Sequence, residues 1–457
     1  EGRHAGESLL RRQERDGDLR QLPVTLRFSK HTLANGLDVL LHEDRDCPIV
    51  AVNIWYHVGS KNEHPGHTGF AHLFEHLMFE GSEHHDHGYF QPLQGAGATL
   101  NGSTNADRTN YWEVVPARAL ELALWMESDR MGHLLPALTE AKFSNQRDVV
   151  LNERRQNYEN RPYGLAAMAL LAALFPSDHP YHWATIGEVA DLNSATLDQV
   201  HAFFRRYYHP ANASLALAGD FDSNEALALV ERYFGSIDPG ERVPPVRRTA
   251  SLAGQTRLLY EDRVELPRVH IAWLTPPMFA DGDADLDLAA DLLANGKTSR
   301  LYKRLVFEER VATDVSATQN SREMAGYMQL TATAAPGHSL GELESAMLHE
   351  VARLTAEGPT DDDILCGRVQ AEAQFMFRLQ TVGGFGGKSD QLNAYNVFLG
   401  DADYFDRDLA RYHAVTHQSL SRALARYLDP ERRVTLSIVP QGRADLAAPD
   451  SVRVALA

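Results

Sequence analysis

Two stretches of the chain decide the reading of its fold: Cys47-Pro48-Ile49-Val50-Ala51-Val52-Asn53-Ile54-Trp55 and Leu266-Pro267-Arg268-Val269-His270-Ile271-Ala272-Trp273. Each is a proline followed by alternating residues, the period-two pattern of a strand. Their prolines lie 219 positions apart. The pair Arg206-Tyr207 with Pro210 recurs as Arg426-Tyr427 with Pro430, an offset of 220. Each pair is followed by strand residues, Leu215 and Leu217 in one case and Leu436 and Ile438 in the other. Near-constant offsets at both ends predict two copies of one fold.

Between the copies runs Ser236-Ile237-Asp238-Pro239-Gly240-Glu241-Arg242-Val243-Pro244-Pro245-Val246-Arg247-Arg248, whose prolines and glycine disfavour helix and sheet. Strands are predicted at Ile49–Trp55, Thr109–Val115 and Ser214–Ala218. Pro116 suits a first helical position before strong helix formers, and further helices are predicted at 140–159 and 195–208. Strands first and helices later predict an α+β fold: two homologous domains, each with helices packed on a mostly antiparallel sheet. The expected layout is a loose polar arm at 1–22, a metal-binding domain at 23–238, a linker at 239–256 and a second, non-catalytic copy at 257–457.

Composition narrows the function. Of 457 residues, 44% are hydrophobic and 23% charged, ordinary for a globular protein. The longest wholly apolar run, Leu165 to Phe175, is far short of the ~20 residues that a membrane span needs. Acidic residues exceed basic ones by 62 to 44, giving −18, which argues against nucleic acid as a partner. Two distant cysteines, Cys47 and Cys366, exclude a disulfide scaffold and a cysteine-rich zinc module. The chain begins at Glu1, as it would after removal of an export signal.

The chemistry is concentrated in Gly69-Phe70-Ala71-His72-Leu73-Phe74-Glu75-His76-Leu77-Met78-Phe79-Glu80-Gly81. This reads as a helix stopped by Gly81, with His72, Glu75 and His76 at i, i+3 and i+4 on one stripe. Its other residues are large and apolar, so the helix should be buried, carrying two imidazoles and a carboxylate with it. That burial costs several kcal/mol unless the groups are paired or bind a metal. Zinc meets the need: two neutral imidazoles one turn apart can reach one ion at ~2.0–2.1 Å. Glu75 is then placed to take a proton from water acidified by the metal. His-x-x-Glu-His is the inverted form of the metallopeptidase signature. A third, anionic ligand is expected from another helix, and Glu153, beside Val149 and Val150, adjoins an apolar face; spacing alone leaves Glu140, Glu153 and Glu159 open.

Several segments together resemble the inverted-zincin peptidases of the pitrilysin, insulin-degrading enzyme and mitochondrial processing peptidase family. They are Asn35-Gly36-Leu37-Asp38-Val39-Leu40, Trp55-Tyr56-His57-Val58-Gly59-Ser60, the histidine segment, the run from Thr99 to Tyr111, and Asp148-Val149-Val150-Leu151-Asn152-Glu153. The likeness extends over about residues 29–450 and is most specific in 55–163, in the manner of the bacterial two-domain members. In that family a glutamate ligand follows the second histidine after 76 residues, the interval from His76 to Glu153. The resemblance therefore implies one Zn²⁺ held by His72, His76 and Glu153, with Glu75 as the catalytic base. It also implies hydrolysis of extended or unfolded polypeptide, bound as a strand along an edge that includes Asn101 and Gly102. From the residues alone, Asn101-Gly102 could equally be a hairpin turn. Arg322 and Tyr327 are implied as candidates for stabilising the reacting carbonyl, unless a partner subunit supplies that pair. Many members carry a second glutamate seven residues before the ligand; here Gln146 stands there and can offer no charge.

The second copy lacks the metal set. Aligned through Gly81 and Gly296, His72, Glu75 and His76 face Asp287, Ala290 and Asp291. The expected partner is a second copy of the chain or a paralogue lacking the motif, and the expected compartment is the periplasm, with the cytoplasm as the alternative. The rival reading is a peptide-holding or assembly subunit without activity. Thr381 to Ser389 is not a phosphate loop, because Val382 stands where its first glycine is required; it reads as a flexible break between helices. His84, His85 and His87 read as a solvated loop.

Overall fold

A computed structural model describes residues 26–455. The polar arm read at 1–22 lies outside the described residues. The fold is α+β, built on two six-stranded sheets of the same design. The first contains β1 (Ser29–Thr32), β2 (Asp38–Glu43), β3 (Ile49–Tyr56), β4 (Thr99–Thr104), β5 (Thr109–Pro116) and β6 (Ala213–Gly219), in the order β1-β2-β6-β3-β5-β4. The second contains β7 (Thr256–Asp262), β8 (Arg268–Thr275), β9 (Ala312–Asn320), β10 (Gly326–Ala334), β11 (Val434–Pro440) and β12 (Val452–Arg453), in the order β12-β7-β11-β8-β10-β9. The two prolines that open the repeat each precede the strand in the fourth position across its sheet, β3 and β8. Both sheets are mainly antiparallel, with parallel pairing of β2 with β6 and of β7 with β11. They differ at one margin: β1 precedes its neighbour and runs antiparallel to it, whereas β12 comes from the end of the chain and runs parallel to β7. From Gly235 to Gln255 the chain has no helix or strand.

The halves exchange helices. Helix Lys388–Leu399, from the second half, lies on β3 and β6 of the first sheet, while helix Ala166–Leu174, from the first half, lies on β8 and β11 of the second. This explains why β3 is buried on both faces despite its alternating sequence. Val50, Val52, Ile54 and Tyr56 enter the first core, and the opposite face, with Ala51, Asn53 and Trp55, meets the exchanged helix. Asn53 is wholly buried, so its amide must be paired. Asp390 on that helix accepts from Asn53 Nδ2 (3.1 Å), Trp55 Nε1 (2.8 Å) and Asn110 Nδ2 (3.2 Å), and Asn393 donates to Asn53 O (2.8 Å).

Two local expectations need correction. Pro116 closes β5 instead of opening a helix, and the following helix begins at Leu120 after a short 3-10 turn. Asn101-Gly102 is not a hairpin turn. It lies within β4, and the turn falls at Asn105–Arg108, where Asn105 Oδ1 accepts from the backbone of Asp107 and Arg108. The glycine-rich segment 381–387 does separate two helices, Asp361–Arg378 and Lys388–Leu399, and part of it packs on the first sheet. A Cβ on Gly383 would fall 2.5 Å from the Cβ of Ala51, Phe385 meets Trp112 edge-on, and Lys388 pairs with Asp44.

Candidate metal centre

The histidine helix runs from Phe70 to Leu77, so it ends two residues before its apolar run does at Phe79 and does not reach Gly81. It starts from Gly69, whose φ of +87° is the left-handed conformation that glycine adopts without strain. Its first amides are satisfied by a buried carboxylate: Gly69 N and Ala71 N donate to Glu63 at 2.9 and 2.8 Å. Burial pushes Glu63 up to about 8 despite these bonds. Phe70, Leu73, Phe74 and Leu77 are buried, and Phe74 stacks on Phe203. The remaining stripe carries His72, Glu75 and His76.

Helix Glu140–Arg154, capped by Thr139, brings Glu153 opposite that stripe. Glu153 Oε2 lies 3.6 Å from His72 Nε2 and 3.4 Å from His76 Nε2. Both separations exceed the usual 2.7–3.2 Å of an N–H···O bond. They are close to the ~3.3 Å between ligand atoms that bond lengths of ~2.0–2.1 Å give a tetrahedral zinc site. Among the described residues, these three form one of two groups whose ligand atoms all lie within 4.8 Å of one another. The donor set, two nitrogens and a carboxylate, suits zinc.

The electrostatics favour the protonation state that ligation needs at His72 and Glu153 and oppose it at His76. Burial, with help from His76, lowers His72 to about 4, so its imidazole is neutral at ordinary pH. Burial also lowers His76, but Glu153 and Glu75 outweigh it and the net shift is upward. Burial raises Glu75, opposed by the Thr104 hydroxyl and by the charges of His76 and Arg108. Gln146 bonds Glu80 and also reaches His76. The charge missing at position 146 is thus present nearby on Glu80, which sequence reading did not single out.

The remaining sequence candidates fall in two places. Asn101 and Gly102 lie in β4, which ends the sheet and has no partner on its outer side among the described residues. A Cβ on Gly102 would come 3.0 Å from Tyr111 and 3.2 Å from Phe79, so the edge strand sits tight on the aromatics behind the histidine helix. Arg322 and Tyr327 lie at the seam between the halves. The guanidinium is 5.1 Å from the Tyr327 ring centre and 5.2 Å from that of Tyr181, outside the ligand group. In the second half, the helix matching the histidine helix is Asp283–Ala294. It too starts from a left-handed glycine, Gly282. Aligning the two starting glycines corrects the register by two positions, so that His72, Glu75 and His76 face Asp285, Leu288 and Ala289. No metal set results on either alignment. Asp287 is pushed up to about 7 by burial, and its carboxylate accepts from Tyr412 at 2.7 Å.

Sequence reasoning also missed the groups that hold the two helices in register. Arg154, next to Glu153 and buried, donates to Gly187 O (2.7 Å) and Glu159 Oε1 (3.0 Å). Gly187, at φ +77°, presses against Gly69, and a Cβ on it would fall 2.4 Å from the Cα of Gly69. One glycine contact thereby ties the start of the histidine helix to the end of the Glu153 helix. These partners are distant in sequence and carry no motif.

Family comparison agrees with this architecture. Residues 38–181 match the family model described as insulinase (peptidase family M16), and residues 194–365 match that of the peptidase M16 inactive domain. The chain belongs to the M16 peptidase family, in its two-domain form. It is 27% identical over 379 residues to the zinc protease PqqE of Helicobacter pylori, covering 82% of this chain and 85% of that protein. Its fold matches the crystal structure of a protease from Helicobacter pylori with TM-score 0.84 at 24% identity, over 91% of this chain and all of that one. The periplasmic protease PqqL of Escherichia coli matches with TM-score 0.76 at 18% identity, over 93% of this chain and 49% of PqqL. Among the described residues no helix is long and apolar enough to cross a membrane.

Proposed function

We propose that the chain is a zinc-dependent endopeptidase acting on extended or unfolded polypeptide. One Zn²⁺ would be held by His72, His76 and Glu153. The observation carrying this reading is the meeting of two imidazoles and a carboxylate from two helices at ligand spacing, beside a sheet edge that has no outer partner among the described residues. Zinc at such a site supplies a Lewis acid that acidifies water and polarises a carbonyl. Glu75 takes the proton of the attacking water and hands it to the departing amine. β4, through Asn101 and Gly102, offers backbone groups to a substrate strand. Arg322 and Tyr327 assist from the second half, or a partner subunit supplies an equivalent pair. Dimerisation with a second copy or a paralogue belongs to this reading, as does a periplasmic location, which the PqqL likeness favours.

The alternative, a peptide-holding subunit, has in its favour the inactive-domain description of residues 194–365. Elemental analysis and a peptide assay separate the two. The expected result is one zinc per chain bound by His72, His76 and Glu153, with cleavage falling about 10²–10⁴-fold in Glu75→Gln while that zinc is kept. A zinc-loaded, unmutated protein that cleaves nothing, even with its partner present, would establish the holding role.

A further inference from the structure

A second group of ligating side chains forms on the loop that follows the histidine helix. Gly81, at φ +111°, turns the chain back into Ser82-Glu83-His84-His85, where Ser82 and His85 exchange backbone bonds of 3.0 and 3.2 Å. Glu83 N donates to His133 O (2.9 Å), pinning this loop to the end of helix Leu120–His133. Sequence reading takes the loop histidines as solvated because they are polar and lie on a loop; His133, 49 positions beyond His84, carries no local signal that links it to them. The fold brings it back. The His84 and His133 rings stand 4.7 Å apart at 81°, and Glu83 Oε2 lies 3.1 Å from His133 Nδ1. One nitrogen of each imidazole and one Glu83 oxygen all lie within 4.8 Å of one another.

Behind these exposed groups is a built support. The side chain of Asp129, on the same helix one turn before His133, is only 4% exposed. It accepts from His84 Nδ1 (2.6 Å), from the His84 backbone N (3.3 Å) and from the Ser82 hydroxyl. A carboxylate on one imidazole nitrogen fixes the ring and leaves the other nitrogen's lone pair directed outward, the usual backing of a metal-bound histidine. We propose that Glu83, His84 and His133 form a second site, for a divalent transition-metal ion of the zinc class. Two imidazoles and one carboxylate select zinc, nickel, cobalt or copper over magnesium or calcium, which prefer oxygen ligands alone. The three side chains are each about half exposed, so water completes the coordination and the ion exchanges readily. None of them belongs to the His72, His76 and Glu153 group, so the inference does not depend on the proposed activity. An ion here would clamp the 82–85 loop to the end of helix Leu120–His133.

The test is calorimetric titration of the metal-free full-length chain with Zn²⁺. The unchanged protein should show two classes of site. H84A/H133A should lose the weaker class and keep the tighter, and H72A/H76A should do the reverse. Asp129→Asn should weaken the second class about 10–100-fold without abolishing it. Persistence of both classes in H84A/H133A overturns the proposal. So does a single class in the unchanged protein that is lost in H72A/H76A. Should the double variant fold poorly by circular dichroism, Glu83→Ala, an exposed change, carries the same test: it should weaken the second class, and unchanged binding there refutes the site.

Discussion

At the scale of residues, the site divides into what a spacing rule reveals and what only packing reveals. His72, Glu75 and His76 fall on one stripe by helical periodicity, so they were legible without any structure. Glu153 was selected only by resemblance, because nothing in its own helix states that this face meets the histidines. Glu63, Glu80 and Arg154 were illegible: each acts through a contact that exists only after folding. Gly102 shows how fine the tolerances are. A methyl group there would lie 3.0–3.2 Å from Tyr111 and Phe79, forcing the edge strand outward. Gly102→Ala is expected to cost about 1–3 kcal/mol of stability and to lower kcat/KM roughly 10-fold by displacing the substrate strand. Zinc content should stay constant, and an unchanged kcat/KM would argue against substrate binding along β4.

Elements were read well where sequence carries local punctuation and less well where neighbours decide. The helix beginning at Leu197 has a capping box, Thr196 with Gln199, and was expected within two residues of its actual limits. The histidine helix ends earlier than its apolar run, because Phe79 turns away to stack on Phe90. Its starting point depends on the contact between Gly69 and Gly187. Gly187→Ala combines a positive φ with a clash against backbone, so it should lose at least about 2 kcal/mol of stability. The displaced Arg154 would carry Glu153 with it. Zinc affinity measured against a chelator should therefore drop, although Gly187 has no ligand atom. Unaltered affinity in a folded Gly187→Ala protein would refute this coupling.

On the scale of the whole molecule, the duplication was visible in two offsets, but the exchange of helices was not, since sequence periodicity cannot say which sheet a helix covers. A second tie between the halves is ionic. Lys61 is buried, pairs with Glu323, and donates to Asp107 O at 3.1 Å, while His57 Nε2 lies 2.8 Å from Glu323 Oε2. Burial alone would raise Glu323, yet His57 and Lys61 outweigh it and hold the carboxyl at about 2. A carboxyl depressed on folding stabilises above its unfolded pKa, near 4.5, and that contribution is lost as pH falls towards 2. Chemical denaturation should therefore lose on the order of 2–3 kcal/mol more between pH 4.5 and 2 in the unchanged protein than in Glu323→Gln. Equal pH slopes would show that this pair does not join the halves in solution.

The helix exchange has a further consequence for how the chain can be divided. Each sheet is roofed by a segment that the other half carries, so a fragment ending at residue 255 would leave Ala51, Asn53 and Trp55 bare, and should not persist alone as a folded, soluble species. A protease nick in the irregular strap between Gly235 and Gln255 should have the opposite outcome. The severed pieces would co-elute on a sizing column, and two separately expressed fragments, refolded together, should reconstitute the parent. The strap is a tether of convenience, and the halves are mutually clasped without it.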